Sequence, residues 1–269
     1  MLSALSVSSC FLSNNKAIAI VTDPNLVFYM TMEQMYGANK SNWTSGTKYI
    51  GNIATGGVTD LFQAYSITDA KPETTIVKNG LQSIYTNNNL FRITSTNYIF
   101  PQSTGLSFCI WCRMVGQNVN LTYGGIFGIA DPNTNKLFAL RMRSVTGASG
   151  APYYINLSID QTNPGGGGVD ITSHQITNNV WNHYVWTISP ALYGGTATHK
   201  VYLNNVLIYT NNALLYPTNV VRTNYDIGAV HNNGCNIQYI DTYRHYKKEL
   251  TLSEINNIYT NLDPNGLRV

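Results

Sequence analysis

Residues 181–188 read Trp-Asn-His-Tyr-Val-Trp-Thr-Ile. Successive side chains of a β-strand point to opposite faces, so Trp181 and Val185 share one face while Tyr184 and Trp186 share the other. Both faces therefore carry large apolar groups. A strand of this kind is buried on both sides, which places it in the interior of a two-layered β protein.

A tight turn follows this strand. Residues 201–203 read Val-Tyr-Leu, residues 206–208 read Val-Leu-Ile, and Asn204 and Asn205 lie between them. A two-residue type I′ turn needs a positive φ at both central positions, which Asn tolerates better than most residues. The pattern predicts an antiparallel hairpin.

The rest of the chain consists of short apolar segments separated by Asn, Gly, Thr and Pro, which is typical of an antiparallel β protein. One helix is predicted near the end, where Thr251 and Glu254 have the spacing of a capping box and Ile255 and Tyr259 follow at helical spacing. We predict further strands over residues 25–32, 81–85, 90–94, 106–114, 125–130, 136–143, 153–160, 200–203, 206–210, 224–227 and 238–246.

The composition favours one globular domain. Of the 269 residues, 43% are hydrophobic and only 11% are charged, and no repeat or linker divides the chain. We expect an N-terminal arm or edge strand over residues 1–24 and one sandwich domain over residues 25–269. The net charge of +3, without a basic stripe, argues against nucleic acid as a partner. We interpret the basic stretch at residues 244–248 as a solvated strand end.

Membrane spanning is not expected either. A transmembrane helix needs an apolar run of roughly 18 residues or more, and none of the apolar segments approaches that length.

Several motifs, in order, resemble the laminin-G-like family of the concanavalin A-like superfamily. The motifs are the opening strand at residues 25–30, Leu-Ser-Phe-Cys-Ile-Trp at 106–111, Trp-Asn-His-Tyr-Val at 181–185, Val-Tyr-Leu-Asn-Asn at 201–205 and Ile-Asp-Thr-Tyr-Arg-His-Tyr at 240–246. They cover most of the chain. The resemblance implies an all-β fold, a two-sheet antiparallel jelly-roll sandwich with one short C-terminal helix. It does not imply a chemistry, because function lies in sites rather than in folds.

The resemblance also implies a candidate metal site. Sandwiches of this superfamily often hold a structural calcium ion through an Asp of a late strand and through backbone carbonyls, and Asp241 matches that position. The alternative is an Asp that accepts hydrogen bonds from loop amides without a metal. We predict no other cofactor.

Catalysis is not expected. Glycoside hydrolysis usually needs two carboxyl groups across the scissile bond, and Glu33 is a candidate acid without a visible acidic partner. The Cys-x-x-Cys at Cys109 and Cys112 lies in a predicted strand, where residues three apart face opposite sides, so we interpret both as structural thiols. His183 lies in a strand motif, where we expect a core histidine with satisfied hydrogen bonds. We therefore predict that the protein is not an enzyme.

Glycan binding needs exposed aromatic side chains beside polar groups. The chain is rich in Tyr, so such pairs also arise by chance. The candidates for contact with a glycan or a partner are Trp43, Tyr123, Tyr153, Tyr154, Tyr193 and Tyr216.

Three hypotheses about function remain. The first is a non-enzymatic structural or adhesion protein that acts through protein–protein contacts as a minor capsid or surface component of a large virus particle. Scarce charge, the arm and an Asn-, Ile- and Tyr-rich composition favour it. It places the protein in the virion, or otherwise on a surface or outside the cell, with other proteins of an assembly as partners. The alternative is a carbohydrate-binding, lectin-like module, and the third hypothesis is a glycoside hydrolase.

Overall fold

The computed structural model describes residues 23–31, 35–36, 49–50, 62–64, 71–73, 78, 83–86, 91–93, 98–117, 123–131, 136–144, 153–161, 168–228 and 236–260. Residues 1–22, most of the expected arm, lie outside these ranges. The helix α1 is Leu252–Tyr259, and the strands are β1 Leu26–Thr31, β2 Met35–Tyr36, β3 Tyr49–Ile50, β4 Phe62–Ala64, β5 Lys71–Glu73, β6 Ser83–Thr86, β7 Phe91–Ile93, β8 Leu106–Gln117, β9 Tyr123–Asp131, β10 Lys136–Ser144, β11 Tyr153–Gln161, β12 Val169–Ile176, β13 Trp181–Ile188, β14 Thr196–Leu203, β15 Val206–Leu215, β16 Asn224–Ile227 and β17 Asn236–Tyr246.

The strands form two antiparallel sheets. Sheet I has eight strands in the order β15-β14-β13-β8-β17-β6-β5, with β1 also paired to β17. Sheet II has nine strands in the order β12-β11-β10-β9-β16-β7-β4-β3-β2. These two sheets confirm the predicted all-β sandwich. No helix in the described ranges is long and apolar enough to cross a bilayer.

The main core lies between the sheets. β13 contributes Trp186, whose ring stacks on Phe138 of β10 with centroids 4.3 Å apart and planes 8° apart. Phe108 of β8 stacks on Phe127 of β9 at 4.9 Å. Aromatic pairs of this kind stabilise a core beyond the area they bury, and here they join one sheet to the other.

A second apolar cluster lies on the outer face of sheet I, under α1. Ile255 and Ile258 of the helix pack there with Val185 and Cys109. The strand of residues 181–188 is therefore buried on both faces, as predicted. Cys112 belongs instead to the main core, so the two thiols lie on opposite faces of β8, and both are free.

The predicted helix and hairpin are confirmed. Thr251 caps α1 through a reciprocal capping box with Glu254. Asn204 and Asn205 connect β14 to β15 with φ of 50° and 67°. The sequence pattern missed β12, whose polar residues and irregular pairing hide the strand period.

The structure corrects part of two interpretations. Arg244 and His245 are buried rather than solvated at a strand end, because Arg244 donates a hydrogen bond to the hydroxyl of Tyr29, 2.9 Å away, and lies over its ring. His183 is a buried core histidine, but neither ring nitrogen has a hydrogen-bond partner in the described part of the chain. Its contacts are aromatic instead, with the Trp111 ring 4.9 Å away.

Candidate functional site

The outer face of sheet II carries charged and aromatic residues in adjacent rows. In β10, Phe138, Leu140 and Met142 point into the core, so Arg141 and Arg143 belong to the opposite face. Antiparallel pairing places Arg141 opposite Asn156 of β11, and Asn156 opposite Asp170 of β12. Residues directly opposite one another in a sheet are close enough to interact side chain to side chain.

Hydrogen bonds connect this row across three strands. Arg141 donates from Nε and Nη2 to Oδ1 of Asn156, over 3.1 and 2.9 Å. Asn156 donates from Nδ2 to Oδ1 of Asp170 over 2.7 Å. Arg141 and Asn156 are buried. This chain of bonds fixes the orientation of the Asp170 carboxylate, which extends toward solvent.

The second carboxylate oxygen of Asp170 forms an ion pair with Nη1 of Arg143. The two side chains are 24% and 38% exposed, so the pair is accessible at the surface. Exposed pairs contribute little to stability because water screens them. A partly exposed, oriented pair instead offers hydrogen-bond donors and acceptors side by side.

Two tyrosines are the strand neighbours of Arg143. Arg143 is opposite Tyr154 of β11, and on its other side it is opposite Tyr123 of β9. Tyr154 is in turn opposite Gln175 of β12, which is exposed. We call Arg141, Arg143, Tyr154, Asn156 and Asp170 the polar face. It combines a half-buried aromatic ring with a guanidinium group, an amide and a carboxylate.

Tyr123 and Tyr154 are two of the predicted contact residues, and the register of sheet II places both directly opposite Arg143, on β9 and β11. The side chain of Tyr123 lies outside what the structure describes. Sequence reasoning missed Arg143 and Asp170. Arg143 lies at the end of a predicted strand, at a position that the alternation of strand side chains places on the outer face. This alternation is the sequence signal that could have identified it.

Two other candidates are not exposed, which corrects the expectation that they form surface platforms. Tyr153 is buried in the main core, because it is the inward neighbour of Tyr154 on β11. Tyr216 is fully buried and donates its hydroxyl to the carbonyl of Pro101.

The last two candidates lie elsewhere. Tyr193, in the segment between β13 and β14, is half-buried and donates its hydroxyl to the carbonyl of Phe100 over 2.8 Å. Trp43 lies outside the described residues.

Asp241 of β17 is buried, and its Oδ2 accepts a hydrogen bond from the backbone amide of Lys78, 3.0 Å away. This hydrogen bond fits the alternative prediction, in which Asp241 accepts from loop amides without a metal. In the described ranges, no group of three or more His, Cys, Asp or Glu side chains could hold a metal ion. Backbone carbonyl oxygens can also bind Ca²⁺, so a calcium ion held by Asp241 and carbonyl oxygens stays a prediction.

The described acidic side chains near the helix are engaged with lysines. Glu249 accepts from Lys200 over 3.0 Å, and Glu254 accepts from Lys248 over 2.8 Å. Burial raises the pKa of the Cys109 thiol to about 12, so this sulfur is protonated and unreactive at neutral pH. Glu33 lies outside the described residues.

Comparison with known proteins finds similarity at the level of the fold. No family model matches the sequence, and no curated protein matches it. Among solved structures, the binding domain of Paraclostridial Mosquitocidal Protein 1 superposes with a TM-score of 0.54 and 12% identity, covering 87% of this chain and 52% of that one. Domain 4 of AbnA, a GH43 extracellular arabinanase from Geobacillus stearothermophilus in complex with arabinotriose, has a TM-score of 0.50 and 16% identity, covering 72% and 83%.

Botulinum neurotoxin type C, whose cell entry depends on interaction with two ganglioside molecules, superposes with a TM-score of 0.51 and 13% identity, covering 89% of this chain and 51% of that one. The chain thus spans about half the length of the toxin structures that it matches. At these identities the comparisons show a shared β-sandwich fold.

Proposed function

We propose that the protein is a non-enzymatic carbohydrate-binding module and that the polar face is its sugar site. The observation that carries this proposal is the partly exposed Arg143–Asp170 pair, with Tyr154 directly opposite Arg143 in the register of sheet II. A sugar presents neighbouring hydroxyl groups, each of which both donates and accepts hydrogen bonds. Arg143 supplies donors and Asp170 supplies an acceptor, so one pair of adjacent hydroxyls can bond to both.

The tyrosine complements these polar groups. The ring of Tyr154 has an apolar face and a polar hydroxyl, which suits the C–H face and the hydroxyl rim of a sugar ring. Ligand sites generally combine such surfaces with a few oriented polar groups. The hydrogen bonds from Arg141 to Asn156 and from Asn156 to Asp170 hold the carboxylate in place before a ligand arrives. Preorganisation of this kind reduces the entropic cost of binding.

The structural neighbours support a glycan over a protein partner. Domain 4 of AbnA is solved with arabinotriose, and botulinum neurotoxin type C interacts with gangliosides. Both are β-sandwich relatives in shape rather than in sequence, so the sugar itself cannot be carried over. We expect a shallow surface site and hence dissociation constants on the order of 10 μM to 1 mM, or about 4 to 7 kcal/mol of binding free energy.

A glycan array followed by calorimetry on the best ligand tests the proposal. Asp170→Asn removes the charge that orients Arg143, and Tyr154→Ala removes the ring, so we expect each to weaken binding at least about tenfold, or 1.4 kcal/mol. Thr196→Ala, at an exposed position of β14 in sheet I, is the matched control and should bind like the wild type. Silence across the array, or equal affinity of all four proteins, would overturn the proposal.

A chelator arm of the same experiment tests the calcium prediction. If a calcium ion held at Asp241 orders the domain, EDTA should lower the melting temperature, and added Ca²⁺ should restore it through mass action. An unchanged melting temperature with and without EDTA would reject the calcium ion while leaving the sugar site standing.

The kind of sandwich and the location of the protein are also proposals. We infer from the ordered motifs that the sandwich is of the laminin-G-like kind. The virion location rests on the scarce charge, the expected N-terminal arm and the Asn-, Ile- and Tyr-rich composition. Purified particles that contain the chain at fixed stoichiometry would support it, and absence from every such particle would reject it.

A further inference from the structure

The outer face of sheet I carries a row of partly exposed side chains next to the end of α1. Tyr259, the last residue of the helix, stacks on Trp111 of β8 with ring centroids 5.4 Å apart. Cys112 and Met114 point into the main core, so Arg113 lies on the outer face, as Trp111 does. Arg113 is therefore the next outward residue of β8 after the one that the helix covers.

The strand register extends this row over four strands. Arg113 is opposite Trp181 of β13 on one side and opposite Tyr239 of β17 on the other. Tyr239 is in turn opposite Tyr85 of β6. All four side chains are partly exposed. We call Trp181, Arg113, Tyr239 and Tyr85 the aromatic strip. Adjacent strands lie about 4.8 Å apart, so the strip spans roughly 14 Å.

Contacts between the side chains follow the register. The rings of Tyr85 and Tyr239 have centroids 5.0 Å apart and planes tilted by 40°. The guanidinium carbon of Arg113 lies 5.5 Å from the centroid of the Tyr239 ring. The strip is thus a run of aromatic surface with one guanidinium group set into it.

The guanidinium group of Arg113 is oriented but not neutralised. Its Nε donates to the carbonyl of Asn179 over 3.0 Å, which fixes the plane of the group. Among the described residues, no carboxylate pairs with Arg113, and its Nη1 and Nη2 have no hydrogen-bond partner. This differs from Arg143 on the polar face, whose charge is balanced by Asp170.

A second cation lies beside the strip. Nζ of Lys78 is 4.4 Å from the centroid of the Trp111 ring, and Lys78 is exposed. Asp241, whose carboxylate accepts the backbone amide of Lys78, is itself buried. The side chains of the strip and of Lys78 together contribute two positive charges and no negative one.

We propose that the aromatic strip is a second binding site, which takes an extended acidic polysaccharide. Tryptophan and tyrosine rings present apolar faces on which the C–H faces of sugars can pack. A strip of roughly 14 Å has the length of about three sugar rings. A guanidinium group binds a carboxylate through two parallel hydrogen bonds, and a sulfate presents a similar pair of oxygens. The positive charge therefore favours a chain whose sugars carry such groups over a neutral chain.

Single-stranded nucleic acid also uses aromatic rings and cations for binding. The rings of Tyr85 and Tyr239 are too close together for a base to stack between them, and the net charge of the chain is only +3. These two observations favour a polysaccharide. The strip lies on sheet I and the polar face lies on sheet II, so either site can fail without the other.

Calorimetric titration of the full chain at low ionic strength tests the strip. The probes are polygalacturonate, its neutral methyl ester, dextran sulfate and a single-stranded thymidine oligonucleotide. We expect polygalacturonate or dextran sulfate to bind, with the two probes distinguishing carboxylate from sulfate. The methyl ester should bind at least about tenfold more weakly than an acidic probe that binds.

Variants locate the binding on the strip. Arg113→Gln should weaken binding of the acidic probe at least about tenfold, and Trp181→Ala, which removes a ring and no charge, should weaken it severalfold. Lys247→Gln removes the same charge as Arg113→Gln at an exposed position after the other end of β17, and it should bind like the wild type. Asp170→Asn should also leave this binding unchanged. Melting temperatures verify that each variant is folded.

Four outcomes would each overturn the proposal. They are no binding of either acidic probe, equal affinity for polygalacturonate and its methyl ester, equal affinity of Arg113→Gln and Lys247→Gln, and tighter binding of the oligonucleotide than of the acidic polysaccharides. Loss of acidic-probe binding in Asp170→Asn but not in Arg113→Gln would assign the acidic chain to the polar face instead.

Discussion

Trp186 donates its indole N–H to Nδ1 of His199, 3.1 Å away, inside the main core. The acceptor nitrogen must be unprotonated, so this bond requires the neutral imidazole of His199 with its proton on the other nitrogen. Burial lowers the pKa of His199 to about 4. A buried hydrogen bond of the core is thereby coupled to the protonation state of one histidine.

We expect the protein to lose stability as the pH falls from about 6.5 toward 4. Burial also lowers the pKa of His183 and of His245 to about 3 each. These folded-state values lie below the ordinary value near 6.5, so in this window the unfolded chain binds protons that the folded chain does not, and the unfolding free energy falls with pH. At pH 5 the loss should be about 2 kcal/mol per histidine. Urea titrations between pH 4 and 7 measure it.

A variant can separate the contribution of the histidines to this pH dependence from that of the carboxylates, which also titrate near the acidic end of the window. His245 stacks on Phe108 with ring centroids 4.4 Å apart, so a phenylalanine fits the site by shape. In His245→Phe, the unfolding free energy should depend less steeply on pH, by the equivalent of up to one bound proton. An unchanged slope would show that His245 already binds a proton in the folded state.

Asp160 anchors the segment before β16 and should be costly to remove. Its carboxylate pairs with the fully buried Arg222 and accepts the backbone amide of Thr218. Asp160→Ala leaves a buried guanidinium group without its counter-charge, which should cost about 3 to 5 kcal/mol in the free energy of unfolding. Asp160→Asn keeps an acceptor and the tolerance for the positive φ of 48°, and should cost less. Equal losses would show that the lost charge alone, and neither the acceptor nor the backbone angle, accounts for the cost.

Removal of the helix cap at Thr251 should destabilise the protein less than loss of Asp160. Thr251 accepts from the amide of Glu254 over 3.3 Å, and the Glu254 carboxylate accepts from the amide of Thr251 over 2.8 Å. Thr251→Ala should destabilise the fold by about 1 kcal/mol, since it removes one partner of the first-turn amides. Ser253→Ala, at an exposed position of α1, is the control, with an expected change within about 0.5 kcal/mol.

Gly105 and Gly194 have similar backbone angles but different surroundings. Substituting each by alanine distinguishes the cost of backbone strain from the cost of a steric clash. Gly105 has φ of 75° and Gly194 has φ of 70°. A Cβ at Gly105 would overlap the carbonyl oxygen of Ile188, whereas a Cβ at Gly194 would meet no atom within 4 Å. Gly194→Ala should cost about 1 kcal/mol for backbone strain, and Gly105→Ala about 3 kcal/mol or more. Similar melting temperatures for the two variants would refute this distinction.

Much of the fold could be predicted because each inference depended on local chemistry. The type I′ turn at Asn204 and Asn205, the cap at Thr251 and the doubly buried strand of residues 181–188 all follow from a few adjacent residues. β12 escaped prediction because it departs from strand alternation at its bulge, where Thr172, Ser173 and His174 fall outside the pairing.

The site was less accessible to sequence reasoning. The choice of Tyr154 was guided by residue type alone, and the same rule selected Tyr153, which the strand alternation turns into the core. What places Arg143 beside Tyr154, and Asp170 beside Asn156, is the register of three strands. Register depends on pairing between segments far apart in the chain and is strongly specified only once one face is buried.

The stacking of Trp186 on Phe138 has a practical consequence. It joins the two sheets by one flat aromatic contact in the dry interior, while Trp111 lies on the other face of sheet I. The fluorescence of Trp186 therefore reports on whether the sheets are together: its emission should be blue-shifted while they are packed and should move to the red when water enters between them. With the other three tryptophans, Trp43, Trp111 and Trp181, replaced by phenylalanine, the intrinsic fluorescence follows the separation of the two sheets without an added label.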